Sequence, residues 1–384
     1  MWIQSKNVWV DESFQPKAIE ISEGIIKSLR NYGSVEDVVD YGESKIIPGL
    51  IDIHDHGYND LSANHSDVKG LLEWANYLPS EGVTSFLPTL ATISQDEFVV
   101  ALKNIAQASD LEYVGAKMLG IHTEGVIISS EKKGAHDERL ILRPSVELFK
   151  KWQEASNNKI VLVAIAPECD ENHDLIKYLV KEGIAATIAH SNATYEQAIE
   201  AIESGVTSFT HTFNAMTGFD HRKPGAVGAA MDVCDAYAEL ICDGVHVNFV
   251  VGRVLGLIKG KDRLIAITDA MPTKGLKPGI YKKKGTQFNV VVDEYGVSRL
   301  ENGTLSGSSG RMIDMVRNLD LKMGLGEAVA INAATINPAR LLKRDNNKGL
   351  IKENYDADIV VIDNEYKVLA TYVAGNVVFR NENN

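Results

Sequence analysis

The sequence predicts an α/β protein: a (β/α)8, TIM-like barrel with a small β domain built from the two ends of the chain. Three observations predict it. Eight short apolar, β-branched runs alternate with amphipathic helical stretches between residues 46 and 268. Six of the ten histidines close those runs or follow directly on them. The chain ends carry strand-like runs and turns but no long helix.

The runs are residues 46–53, 84–90, 115–121, 160–166, 185–189, 208–212, 238–242 and 264–268. Eight of them suit a closed barrel better than an open sheet. Ser66, Ser94 and Thr194 stand where helix N-caps are wanted, and Gly82, Gly183 and Gly205 stand where helices stop. Residues 1–45 and 349–384 are expected to pair into the small domain, and 46–348 to form the barrel. Residues 273–304 break the rhythm. The stretch 274–285 is rich in Lys and Gly and 288–297 alternates like a hairpin, an excursion after the eighth strand.

Composition bounds the function. With 384 residues, 45% apolar and 24% charged, the chain can bury a substantial core. A net charge of −13, from 39 basic and 52 acidic side chains, argues against nucleic acid or an anionic membrane as partner. A small anion still fits, because a few local donors suffice to hold one. Three cysteines without a CxxC spacing exclude a disulfide framework or a zinc ribbon and are expected to be buried free thiols. The opening MWIQSKNVWVDESF lacks the basic and apolar regions of a signal peptide, and no stretch is long enough to span a membrane. A cytoplasmic enzyme is expected.

The carboxyl ends of barrel strands form the catalytic face of such a fold. His54-Asp55-His56 closes the first run, and residues two apart on a strand point the same way. His122-Thr123-Glu124 closes the third with the same period, and Glu124 offers a charged oxygen to a divalent ion. A bare acid there is costly without a partner. His122 is set aside as a supporting residue. His190 and His211 end the fifth and sixth runs, one imidazole each, as suits a ligand set gathered from separate strands. Asp269 ends the eighth, placed for general base and then general acid work beside an activated water.

These residues resemble the N-acetylglucosamine-6-phosphate deacetylases, a family of the amidohydrolase superfamily. The matching stretches are PGLIDIHDHG (48–57), HTEG with SSEKKGAH (122–125, 129–136), IAPE (165–168), AHSNAT (189–194), THTFNAM (210–216), RKPGAVGAA (222–230), CDGVHV (242–247), TDAM (268–271), GTLSGS (303–308), NPAR (337–340) and YDADIVVID (355–363). They follow the family's order over essentially the whole chain. AHSNAT with THTFNAM is specific to the family, whereas the HxH and ADIVVID elements are shared across the superfamily.

The resemblance implies a barrel with a flanking β-sandwich, usually in a homodimer. It also implies hydrolysis of the acetamido group of an amino-sugar 6-phosphate to acetate and the amine. It assigns Glu124, His190 and His211 as metal ligands, and His54 and His56 as ligands of a second ion found in some members. Zinc is the first candidate; iron or another divalent ion is the alternative. His136 would polarise the acetyl carbonyl and Asp269 would carry the proton. Asn214, Ala215, Arg222 and His246 would hold the sugar phosphate, in part across a subunit boundary. Gly307 in LSGSSG is read as a close-approach backbone position. The chain departs from the family at Val126, where EGP becomes EGV, and in the loop GYNDLSANHSD (57–67), which replaces a glycine-rich stretch. Both loops are expected to border the pocket.

Competing readings are the galactosamine epimer as substrate, a cyclic amidase such as a dihydroorotase, and a non-catalytic sugar-phosphate sensor. The cyclic amidases bridge two metals with a modified lysine after the fourth strand, where this chain reads IAPECD. The sensor has no use for Asp269 and His136 beside a full ligand set.

Overall fold

The computed structural model describes residues 1–381. Eight parallel strands close a barrel, in the order Leu50–Asp55, Val83–Leu90, Ile121–Thr123, Ile160–Ile165, Ala185–Ile188, Ser208–Phe209, Tyr237–Ile241 and Leu264–Ile267. The first and eighth strands meet at the carboxyl end, where Asp269 N donates to His54 O at 2.9 Å and His56 N to Ala270 O at 2.8 Å. Ile51, Ile53, Leu87, Leu162, Ile241, Ile265 and Ile267 come from strands on opposite sides and fill the lumen below the mouth. Each such burial is worth about 1.5–3 kcal/mol.

Helix boundaries follow local chemistry. Ser94 and Thr194 cap their helices as expected, each completing a capping box, with Glu97 and Gln197 respectively. The first helix starts one residue later than expected. Its cap is Asp67, and Ser66 Oγ instead accepts from Ser62 N at 2.8 Å.

Strands from the two chain ends pair with one another. Trp2–Val10, Ser13–Ser22, Ile25–Asn31 and Val38–Asp40 join Ile359–Ile362, Val368–Val373 and Asn376–Arg380 in one mixed sheet. The sandwich is this single sheet curled over a core that includes Ile3, Ile19, Ile26, Ile359 and Tyr372. The expected strand 46–53 divides in two. Lys45–Pro48 belongs to the small sheet and Leu50–Asp55 to the barrel. The division falls where hydrogen-bond partners change: Gly49 N donates to Asp358 O, Leu50 N to Gly82 O. The small sheet thus runs directly into the strand that carries His54 and His56.

The excursion is a three-stranded antiparallel sheet: Gly279–Lys282, Asn289–Val292 and Ser298–Leu300. The hairpin was expected; its Lys/Gly-rich first strand was not. A buried ion pair, Lys274 Nζ to Glu81 at 2.7 Å, fixes its root against the barrel. The cysteine expectation needs correction: all three thiols are free, but Cys169 and Cys234 are exposed and only Cys242 is buried. Cys169 follows a strand end and Cys234 lies in a connecting loop, where no core closes over them.

Candidate metal centre and active site

Three of the strand-end residues share a conformation that sequence does not reveal. His190, His211 and Asp269 have φ of 45°, 32° and 47°. Non-glycine residues in this region cost about 1–3 kcal/mol each and persist where the surroundings impose them. The turn ends the strand and coincides with each side chain's place in the site. It is also why the fifth, sixth and eighth strands stop before their predicted ends.

Two buried trios result. In one, ligand atoms of Glu124, His190 and His211 lie within 4.8 Å of one another; in the other, those of His54, His56 and Asp269 do. Glu124 joins them. Its Oε1 is 2.8 Å from His211 Nε2 and 3.1 Å from His190 Nε2. Its Oε2 is 3.2 Å from His56 Nε2, 3.7 Å from His54 Nε2 and 3.6 Å from His136 Nε2. Asp269 Oδ1 lies 3.3 Å from His56 Nε2 and 3.6 Å from His54 Nε2. Asp269, assigned from sequence to proton transfer, therefore also borders the second trio. His122 is buried and stacks edge-on against His54, but stands in neither trio.

The outer nitrogens set the tautomers. His56 Nδ1 donates to Thr89 O at 2.9 Å and His190 Nδ1 to Lys132 O at 2.8 Å, so Nε2 of each ring is the atom turned inward and is bare whenever the ring is neutral. This is the state a metal requires. The donor set of imidazole nitrogens and carboxylate oxygens suits a borderline divalent ion. Thr92 Oγ1 stands 2.8 Å from His136 Nδ1 and 2.5 Å from Gly125 O, and its single proton can serve one of them. Gly125, at φ +90°, allows that approach, since a Cβ there would come within 2.2 Å of the His136 ring.

Charge is shared across the trios. Burial opposes ionisation of Asp269, yet His54 and His56 hold its carboxyl down at about 2. Burial likewise works against the His56 cation, but Asp269 and Glu124 raise it to about 9. The metal-free protein therefore carries a proton on His56 at neutral pH, and an ion binding there must displace it. Burial also works against the His54 cation, but Asp269 and Glu124 raise it as well, so affinity at that trio is expected to rise at least tenfold per pH unit between pH 7 and pH 9. Competition with a chelator at pH 7, 8 and 9 measures it; a flat affinity contradicts it.

Above the trios lies a cavity of about 320 Å³, lined by His56, Glu124, His136, His190, His211, Asn214, Ala215, His246, Asp269 and Gly307. His246 Nδ1 lies 2.7 Å from Asp243 Oδ2, and its buried Nε2 has no partner among the described residues. Gly307 approaches backbone, with φ +62° and a would-be Cβ 2.8 Å from Asp269 O. Arg222 is not brought here. It is exposed on the loop before the helix Gly225–Asp232 and lines no part of this cavity. The loop after the third strand borders the cavity as expected, through Glu124, Glu131 and Lys132, but Val126 itself is buried in the core and lines neither that cavity nor the one beside it.

Sequence reasoning missed two residues. Glu239, fully buried on the seventh strand, sets Oε2 at 3.5 Å from His54 Nδ1 and 3.3 Å from His211 N. An acid inside an apolar strand was the available signal. Glu239→Gln is expected to weaken metal binding at the His54 trio by 10–100-fold, read by chelator competition; unchanged affinity would show that Glu239 does not orient His54. Lys283, half-buried, donates from Nζ to Ala135 O at 2.9 Å. Burial brings it down to about 8, against the pull of Glu124 and Asp269. Nothing in its Lys-rich run singled it out.

The amidohydrolase family model matches residues 46–378. The chain belongs to the amidohydrolase family. As an amidohydrolase it is a hydrolytic enzyme of a metal-dependent family. This amidohydrolase is 35% identical to an N-acetylglucosamine-6-phosphate deacetylase of Bacillus subtilis, over 88% of the chain and 85% of the relative. It is 31% identical to an N-acetylgalactosamine-6-phosphate deacetylase of Escherichia coli, over 96% and 95%. A structure of a substituted N-acetyl-D-glucosamine-6-phosphate deacetylase from Mycobacterium smegmatis, in complex with N-acetyl-D-glucosamine-6-phosphate, superposes with a TM-score of 0.91. It is 29% identical, covering 98% of this chain and 99% of that one.

Proposed function

We propose that this amidohydrolase deacetylates N-acetyl-D-glucosamine 6-phosphate, giving D-glucosamine 6-phosphate and acetate. The observation that carries the reading is the convergence of Glu124, His190, His211 and Asp269 on one cavity whose wall holds Asn214, Ala215 and the unpartnered His246 Nε2. The names of the relatives support the substrate.

Glu124, His190 and His211 would hold a divalent ion, zinc by preference, which when bound would supply Lewis acidity toward water and a carbonyl. His54 and His56 would hold a second. Asp269, ionised at neutral pH, takes the proton of the attacking water as the C–O bond forms. It then gives that proton to the nitrogen as the C–N bond breaks, because an amide nitrogen cannot leave as an anion. His136 donates from Nε2 to the developing oxyanion, which requires Thr92 to donate to Nδ1. Loss of one such donor costs about 3–4 kcal/mol of barrier. His246, Asn214 and backbone near Ala215 hold the sugar phosphate, and that remote binding positions the acetamido group.

Arg222 reaches phosphate in this reading only from a second copy. Phe219, Val250, Val254 and Leu257 are large apolar side chains left exposed, and they support a homodimer built on that face. The reading keeps a small domain of residues 1–45 and 349–384 beside a hydrolase barrel of 46–348, and a reducing, cytoplasmic setting for the free thiols.

A second substrate, the galactosamine epimer, is favoured by the Escherichia coli relative. Acetate release from both 6-phosphates decides between them. Faster turnover of the glucosamine compound is expected; faster turnover of the galactosamine compound reverses the assignment, and release from neither overturns it.

A further inference from the structure

A second chamber adjoins the catalytic cavity. The two share His56, Ala91, His136, Met271 and Lys283 along their common wall. Asn214, Ala215 and His246, the residues assigned to sugar phosphate, line the catalytic cavity alone. Asn64, Thr92, Leu276 and Val290 line the second chamber alone. In the deacetylase reading the reacting carbonyl is placed between Asp269, which lines the catalytic cavity, and His136, which lines both, so a sugar held by Asn214, Ala215 and His246 would leave the acyl chain facing the second chamber.

Most of the chamber's wall comes from the loop 57–67 and the excursion after the eighth strand, with Ala91, Thr92 and Ala135–Asp137 completing it. Its surface is mainly apolar, with Ala91, Met271, Leu276, Tyr281 and Val290 contributing. It holds about 70 Å³, roughly half of the ~150 Å³ in which a benzene fits. That is room for one or two carbons beyond an acetyl methyl.

We infer that this chamber is an acyl subsite, and that the enzyme hydrolyses N-propionyl and N-butyryl glucosamine 6-phosphate as well as the acetyl compound. The inference rests on the deacetylase reading above. The step is the same hydrolysis: water adds to the acyl carbon, the C–N bond breaks, the amine takes the proton carried by Asp269, and propionate or butyrate leaves.

The size of the effect follows from pocket fit. A hydrophobic pocket without space for an added methylene discriminates by roughly 10–200-fold. With the chamber open, kcat/KM for the propionyl compound is expected within tenfold of that for acetyl. Leu276→Trp fills the chamber from its own wall. Because Leu276 lines the chamber and not the catalytic cavity, the variant is expected to keep the acetyl rate within about twofold and to lower the propionyl-to-acetyl ratio at least tenfold. Val290→Phe gives an independent closure if the first variant does not fold. A parent enzyme more than tenfold slower on propionyl, or a ratio that either folded variant leaves unchanged, overturns the subsite. If the acetyl compound is itself not hydrolysed, the deacetylase reading has failed instead.

Discussion

Asp269→Asn is expected to lower kcat for acetate release by 10²–10⁴-fold, the contribution of a positioned proton carrier, with KM near that of the parent. The substitution isolates charge from shape. Asp269 sits at φ 47°, a conformation asparagine tolerates, so the backbone turn survives. The Asn amide keeps the size of the carboxyl but can neither take a proton from water nor pass one to nitrogen. It also loses the charge 3.3 Å from His56, so an ion in that trio should bind more weakly. Metal in the Glu124 trio should remain. Saturating-substrate kinetics with metal analysis read both effects, and acetate release at the parent rate would contradict the mechanism.

Glu124→Gln strikes at the centre of the site. Glu124 is almost fully buried and its two oxygens face different imidazole groups. His54 leads the charges that hold its carboxyl well below the usual range, against the burial that would raise it. Removing one partner from such a buried set costs about 3–5 kcal/mol, or roughly 10²–10⁴-fold if it falls on metal affinity. The variant is expected to emerge with little metal and with activity reduced in proportion. Full metal content with full activity would remove Glu124 from the ligand set.

Most of the barrel was legible because apolar runs ending in His, Glu or Asp are hard to reconcile with anything but a functional strand end. That placement singled out His54, His56, Glu124, His190, His211 and Asp269, but Asp269 was read for proton transfer, and its place beside His54 and His56 was not foreseen. Strand lengths were less legible. Residues 115–121 read as one strand, yet Lys117–Met118 pairs on the second strand and only Ile121–Thr123 pairs on both sides. The sixth strand shrinks to Ser208–Phe209 because the backbone turns at His211 for the site's sake. Propensity cannot foresee a turn imposed by tertiary contacts.

Other gaps have similar causes. Lys283 acts through a hydrogen bond to Ala135, 148 residues away in sequence. Glu239 needed its orientation toward His54 to become meaningful. Arg222 shows the reverse case: a family motif placed it in the site, while the single chain leaves it in solvent.

The central claim is that this chain hydrolyses an amino-sugar amide with a divalent ion held between Glu124, His190 and His211. The most direct measurement is acetate release from N-acetylglucosamine 6-phosphate by one preparation assayed as purified, after exhaustive chelation, and after zinc is restored, with metal content determined at each stage. The account predicts activity that disappears with the metal and returns with at least one ion per chain. Undiminished acetate release from protein shown to be metal-free would contradict it.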